Sequence, residues 1–245
     1  MTSTEPAEPF VRYDVAHGVA TLTLDSPHNR NALSSTLMRQ LRQGLDDAAT
    51  DPHVRSIVLT HAGGTFCAGA DLREAGRTGS GGTPAAVAAD RTHAMTDLLR
   101  QILETPKPVV GQIDGHVRAG GMGIVGACDV VVAGPRTTFA LTEARLGLAA
   151  SIISLTVLPR LSPRAASRYF LTGERFGPEV ALAHAGDDRR RRPCRHRRGT
   201  ARRVPRVLTT GARGVEAAAH PADPRGVRSA QRRPRRTIGP AVRFG

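Results

Sequence analysis

The chain has 245 residues, 40% hydrophobic and 23% charged, with a formal net charge of +14, and this length is enough for one sizeable domain. No stretch approaches the roughly 18 apolar residues of a transmembrane helix, so we expect no membrane span. The absence of tryptophan argues against a protein that binds nucleic acid by stacking bases on aromatic rings.

The first part of the chain has the patterns of alternating strands and helices. Residues 19–24 alternate apolar and other side chains, which predicts a strand. Ser34 or Ser35 can cap a helix whose apolar residues follow helical spacing, and Pro52 ends that helix. Residues 54–60 then predict a buried strand, followed by a glycine-containing loop that extends to about residue 82.

The same alternation continues to about residue 185. The patterns predict helices over 84–104, 120–128, 152–161, 163–171 and 178–185, and strands over 109–113, 129–133 and near 141. Strand and helix units recur without a strict sequence period. They therefore favour an α/β layered fold over a solenoid.

The last 59 residues differ in composition from the rest. Residues 187–245 contain 18 arginines, no lysine and four acidic residues, so they hold the entire net charge, whereas residues 1–186 are neutral overall. We interpret 187–245 as a disordered Arg/Pro-rich tail, because its scattered apolar residues cannot bury enough surface to offset the entropy of ordering. We favour the interpretation that this segment is GC-rich DNA translated in a shifted frame, because it has many Arg, Pro, Gly and Ala residues and no lysine, over a solvated basic tail without function. Binding of nucleic acid by the tail is the least favoured alternative.

The cysteines favour a reducing compartment. Three of them, without an export signal, predict a cytoplasmic protein rather than a disulfide framework, and their spacing matches no zinc site. We interpret Cys67 and Cys128 as buried thiols rather than nucleophiles, and His93 and His116 as surface histidines.

Two glycine-containing loops are candidates for the active site. Residues 65–72 and 114–123 each follow a predicted strand, and the second loop opens a helix. Unpaired N–H groups at a helix start can stabilise an anion or a developing oxyanion. The alternative is that these glycines only permit close packing of the helix against the sheet.

The order of motifs adds to this interpretation. The segments SPHNRNALS (26–34), FCAGADLRE (66–74), PKPVVGQIDGHVRAGGMGIVGACDVVVAG (106–134), TFALTEARLGL (138–148) and LPRLSPRAASRYFLTGERF (158–176) occur in sequence over about 170 residues. In these segments the chain resembles the crotonase family, also called the enoyl-CoA hydratase/isomerase family.

The resemblance implies a spiral of ββα units followed by helices, with residues 10–186 as an acyl-CoA-binding domain. It implies that a thioester carbonyl binds between the main-chain N–H groups of Ala70 and Gly120. Coenzyme A is then part of the substrate, and no separate cofactor or metal is expected. The family also forms homotrimers or hexamers. The implied substrate-binding residues are Asn31, Ala32, Leu33, Ala68, Asp71, Leu72 and Gly121, with Arg30 or Arg73 near the phosphates.

Acid/base chemistry then depends on Glu143. Hydratases of the family typically use two glutamates, and the position of the first is occupied here by Gly123, while the second aligns with Glu143. We favour hydration of a 2-enoyl-CoA, with isomerisation of a 3-enoyl-CoA by one glutamate as the alternative. Other crotonase chemistry is also open, and an ion pair of Glu143 with Arg145 is the non-catalytic alternative. The family's C-terminal helices are replaced here by the arginine-rich segment, so a further alternative is an inactive homologue.

Overall fold

The computed structural model describes residues 9–75, 83–185 and 207–209. It begins with a hairpin of β1 (Val11–Ala16) and β2 (Val19–Leu24), which are antiparallel. His17 and Gly18 both have positive φ, as a two-residue hairpin turn requires. The predicted strand over 19–24 is confirmed, with Ala20, Leu22 and Leu24 buried. Strand β1 was not predicted, although Val11, Tyr13 and Val15 alternate with polar residues, and five of its six side chains are exposed.

The first long helix, α1 (Ser35–Thr50), begins where its capping signal predicted. The hydroxyl of Ser34 accepts the N–H of Leu37 at 3.2 Å, which satisfies one of the free amides of the first turn. The helix ends at Asp51, before Pro52. Its apolar face is buried, and that face consists of Leu37, Met38, Leu41, Leu45 and Ala48.

The other elements follow in chain order. Their bounds are β3 (Ser56–His61), β4 (Thr65–Cys67), α2 (Leu72–Ala75), α3 (Pro84–Glu104), β5 (Val109–Ile113), β6 (His116–Arg118), α4 (Gly120–Ala127), β7 (Val130–Ala133), β8 (Thr138–Ala140), α5 (Ser151–Val157), α6 (Pro163–Thr172), α7 (Pro178–Ala183) and β9 (Val207–Thr209). Short 3-10 turns cover Pro27–Asn29, Thr142–Leu146 and Leu158–Arg160.

The strands form two sheets within the described residues. The larger sheet has the order β1-β2-β3-β5-β7-β9, and all its pairs except β1–β2 are parallel. The smaller sheet has the order β4-β6-β8 and is parallel throughout. Each strand from β3, β5 and β7 is followed by one strand of the smaller sheet and then by helix. This is the ββα repeat that the family resemblance implies.

One strand lies in the segment interpreted as a tail. Residues 207–209 form β9, which pairs in parallel with β7 from Val131 to Ala133. The sequence did not predict this strand, because the surrounding segment has no alternation that marks a sheet face. The remaining residues of 187–245 lie outside the described part of the chain.

The core lies between the larger sheet and the helices. Buried residues of α3, including Leu98 and Ile102, pack with the buried face of α1 and with the alternate residues of the parallel strands. Full burial of one such side chain contributes about 1.5–3 kcal/mol. Over the part of the chain that is described, no helix has both the length and the apolar character needed to cross a bilayer.

The cap of α1 provides a test of the fold. We expect Ser34→Ala to lower the free energy of unfolding by about 1 kcal/mol, because the N–H of Leu37 loses its acceptor. The matched control is Ser35→Ala, one residue further on and exposed, which should change stability by less than about 0.5 kcal/mol. Urea unfolding of the two variants measures the difference, and equal stabilities would contradict the assigned cap.

Candidate active site

Three neighbouring strands bring the three predicted catalytic positions to one edge of the smaller sheet. Ala70 lies three residues after β4, Gly120 two residues after β6, and Glu143 three residues after β8. These strands are adjacent and parallel, so their carboxyl ends meet at the same edge. In α/β sheets this edge is where ligands commonly bind.

The first amide donor is held by a short parallel bridge. The N–H of Leu33 donates to the carbonyl of Gly69 at 2.8 Å, and the N–H of Asp71 donates to the carbonyl of Leu33 at 3.4 Å. Ala70 lies between these two bonded residues, so its own N–H points to the other side of the extended backbone. That N–H has no acceptor among the residues that the structure describes.

The second amide donor is the N–H of Gly120, the first residue of α4. A first-turn amide has no acceptor within its helix. The preceding residue, Ala119, has φ of 45° and ψ of −120°, a conformation that costs an alanine on the order of 1–3 kcal/mol. Two hydrogen bonds hold it there, from its N–H to Ala140 and from the N–H of Met122 to its carbonyl. The strained turn therefore sets the direction of the Gly120 amide.

The two loops touch at glycines. A Cβ atom on Gly69 would lie 2.9 Å from the Cβ of Ala119, and Gly69 also has φ of +100°. A Cβ on Gly121 would lie 2.7 Å from the Cβ of Cys67, and one on Gly120 would lie 2.6 Å from Leu33 Cδ1. The sequence left open whether the glycines permit packing or present amides. In the structure, Gly69 and Gly121 allow the two loops to pack closely. Gly120 allows close packing against Leu33 and also has a first-turn N–H group.

Glu143 has the features of a proton-transferring carboxylate. It lies in the 3-10 turn after β8 and is half-buried. Its Oε2 atom is buried and accepts no hydrogen bond within the described residues, where no ion pair with Arg145 is formed. Burial raises the pKa of the Glu143 carboxyl. Buried polar atoms without a partner are rare, so this oxygen is free for a reacting group.

The position of the missing second glutamate is filled by packing. A Cβ on Gly123 would lie 2.7 Å from Ile153 Cγ2 and 3.3 Å from Leu99 Cδ1. A glutamate would not fit there without displacement of Ile153. The described site thus contains one catalytic carboxylate candidate.

The predicted residues of the 26–34 loop support the site from within. Asn31 accepts the N–H of Ser26 at 2.6 Å and donates to the carbonyls of Thr65 at 2.7 Å and Ala62 at 3.3 Å. The side-chain amide of Asn31 is therefore hydrogen-bonded to main-chain groups within the fold. Ala32 and Leu33 are buried, and Leu33 contacts both amide loops through its main chain and its side chain.

Asp71 also has a structural task. Its carboxylate accepts the N–H groups of Arg73 at 2.9 Å and Glu74 at 3.4 Å and the side chain of Asn29 at 3.0 Å. Partial burial opposes ionisation, but these hydrogen bonds lower the pKa of Asp71 overall. Ala68 is half-buried, Gly121 is buried, Leu72 begins α2, and both Arg30 and Arg73 are exposed.

Sequence reasoning missed three contributors to this site. They are the bridge formed by Leu33, the strained turn at Ala119 and the packing of Ile153 on Gly123. Each depends on contacts between segments far apart in sequence, and single-chain patterns carry no signal for them.

The buried carboxylate leads to a pH-dependent stability. The folded state raises the pKa of Glu143, so this group favours the fold most at low pH, and that contribution is lost as pH rises through the folded-state pKa. We expect Glu143→Gln to unfold less readily than the parent chain at neutral pH and to lose this advantage as pH falls to about 4. Urea unfolding at both pH values is the measurement. A Gln variant that is less stable at neutral pH would contradict the assigned burial.

Comparisons with known proteins agree with this geometry. Residues 14–185 match the sequence profile of the enoyl-CoA hydratase/isomerase family. A crystal structure of an enoyl-CoA hydratase from Mycobacterium avium is 54% identical, with a TM-score of 0.65, and the match covers 73% of this chain and 68% of that one. An enoyl-CoA hydratase structure from Mycobacterium smegmatis is 31% identical, with a TM-score of 0.67 and the same two coverages.

One relative is named for a different reaction. The 1,2-epoxyphenylacetyl-CoA isomerase of Escherichia coli K12 is 30% identical over 174 residues, which are 70% of this chain and 66% of the relative. The chain spans less than two thirds of the length of the curated relatives it matches, between 56% and 66%. With the profile match over residues 14–185 and the ββα architecture, the chain belongs to the enoyl-CoA hydratase/isomerase family.

Proposed function

We propose that this chain is an acyl-CoA-processing enzyme that adds water across the double bond of a 2-enoyl-CoA. The N–H groups of Ala70 and Gly120 bind the thioester oxygen, and Glu143 transfers the protons. The observation that carries the proposal is that two main-chain amides and one buried carboxylate oxygen, without hydrogen-bond partners among the described residues, lie at the same edge of three adjacent strands.

The amides act on the charge that develops during reaction. Attack at Cβ moves electrons onto the thioester oxygen and forms an enolate. Fixed N–H dipoles stabilise that oxygen without having to reorient, and loss of one such donor typically slows a reaction by about 10²–10³. The contribution comes from the main chain, so the side chains at 70 and 120 can be small.

One carboxyl can serve both proton transfers of hydration. Ionised Glu143 takes a proton from water as the hydroxide oxygen bonds to Cβ, and the Cα=Cβ electrons form the enolate. The protonated Glu143 then returns that proton to Cα, and the carbonyl reforms. The net change is the addition of one water, and Glu143 ends ionised. The raised pKa of its carboxyl suits both roles near neutral pH.

Isomerisation is the second candidate, and the packing at Gly123 favours it. With Ile153 against that position, Gly123 offers no carboxyl there to orient a water. Glu143 would then take a proton from C2 of a 3-enoyl-CoA and return it to C4 of the dienolate, which moves the double bond to C2. The relatives described above include proteins named as hydratases and one named as an isomerase.

Assembly and location belong to the same proposal. A cytoplasmic homotrimer or hexamer would follow the family, and exposed leucines between the 3-10 turn after β8 and α7 are suited to contact with another copy. These leucines are Leu146, Leu148, Leu155, Leu171 and Leu182. We propose no particular acyl chain for the substrate.

The test of the catalytic assignment is Glu143→Gln. We expect kcat for the active substrate to fall by about 10³-fold or more, because the amide neither accepts nor returns the proton, with a smaller change in KM. The matched control is Glu104→Gln, at the exposed end of α3, which should retain the parent activity. Full activity in the Glu143 variant would overturn its role.

The choice of reaction is tested with two substrates on the parent chain. Hydration of crotonyl-CoA removes the ultraviolet absorbance of the conjugated enoyl thioester, whereas isomerisation of 3-hexenoyl-CoA creates it. We expect loss of absorbance with crotonyl-CoA. If 3-hexenoyl-CoA alone is turned over, the reaction of this chain is isomerisation rather than hydration. Turnover of neither substrate would contradict the proposed function.

A further inference from the structure

Cys67 lies at the end of β4, directly before the first amide loop, and is fully buried. The pairing of β4 with β6 is irregular at this point, because Thr65 pairs with His116 and Cys67 with the next residue, Val117. Two residues of β4 are therefore matched to one residue of β6. Such bulges redirect a side chain and are frequent beside active sites.

The redirected sulfur contacts both amide loops. The N–H of Gly69 donates to Cys67 Sγ at 3.4 Å, and the main chain of Gly121, at the start of α4, packs directly against the same side chain. A Cβ on Gly121 would lie 3.1 Å from Sγ, which shows how closely α4 approaches it. Gly69 directly precedes Ala70, and Gly121 directly follows Gly120. One side chain thus contacts the neighbours of both proposed oxyanion donors.

Two consequences follow for the amides. The N–H of Gly69 is occupied by the sulfur, which leaves the N–H groups of Ala70 and Gly120 to bind the thioester oxygen. Burial also raises the pKa of the Cys67 thiol to about 12. The group behind the amides therefore stays neutral and places no negative charge beside the oxygen that becomes charged.

We propose that the Cys67 thiol is a positioning residue that clamps the two amide loops together and sets the spacing of the oxyanion donors. This inference rests on the proposed function, because it concerns the same two donors. The inference goes beyond the proposed function because it assigns a role to a side chain that takes no part in proton transfer.

The kinetic test compares Cys67→Ala, Cys67→Ser and Cys128→Ala. We expect Cys67→Ala to lower kcat about tenfold, less than the loss of a donor itself, with KM changed by less than about twofold. Cys67→Ser should keep most of the parent kcat, because its hydroxyl can accept the N–H of Gly69 and fills much of the same space between the loops. Cys128 is the matched control, since it is equally buried and lies at the other end of α4, where its thiol donates to Ile124.

A second measurement does not depend on turnover. Amide hydrogen exchange by NMR should be faster at Gly69 and Gly121 in Cys67→Ala than in the parent chain, and unchanged at these positions in Cys128→Ala. Thermal unfolding of all three variants separates this local effect from a general loss of stability.

The outcomes are distinct. Unchanged exchange at the two glycines, unchanged kcat in Cys67→Ala, or equal losses of kcat in the Ala and Ser variants would each overturn the clamp. If the parent chain turns over neither enoyl-CoA, the proposed function fails, and the exchange measurement alone then decides whether the sulfur holds the loops.

Discussion

The contact between residues 67–70 and residues 118–121 is the constraint on which the candidate site depends. Neither amide donor is held by its own side chain. Ala70 is directed by the main-chain bridge to Leu33, and Gly120 by the strained turn at Ala119. The loops approach so closely that a Cβ on Gly69 or Gly121 would collide with its neighbour. The precision of the proposed oxyanion site therefore comes from packing of backbone on backbone, which is rigid and would need no reorganisation during the proposed reaction.

Glu143 shows the opposite trend, because function there opposes stability. A buried carboxylate oxygen with no partner is unfavourable for the fold, and burial raises its pKa. The carboxylate of Asp71 has a structural role instead. Its ionised form is stabilised by three hydrogen bonds, which lower the pKa of Asp71. Two carboxylates at one sheet edge thus differ in environment, and of the two it is Glu143 whose raised pKa suits proton transfer near neutral pH.

Sequence patterns predicted the long elements well and the short ones poorly. Strand 19–24 and helix 84–104 were predicted with their observed bounds, because each has a clear period over many residues. The short strands β4 and β6, of three residues each, are too short to show a period. For the site, the motifs pointed to Ala70, Gly120 and Glu143, which the structure places at one sheet edge, but they could not show that the side chain of Asn31 is used within the fold. That assignment depends on carbonyls some thirty residues away in sequence.

The central claim is that the amides of Ala70 and Gly120 polarise one thioester carbonyl. Infrared difference spectroscopy of bound crotonyl-CoA, labelled with ¹³C at the carbonyl carbon, measures this directly in the Glu143→Gln variant, where turnover is blocked. Two hydrogen bonds to the oxygen weaken the C=O bond, so the account predicts that the labelled stretching band moves to lower frequency on binding. A band at the frequency of free crotonyl-CoA in water, with the ligand shown to be bound, would contradict it.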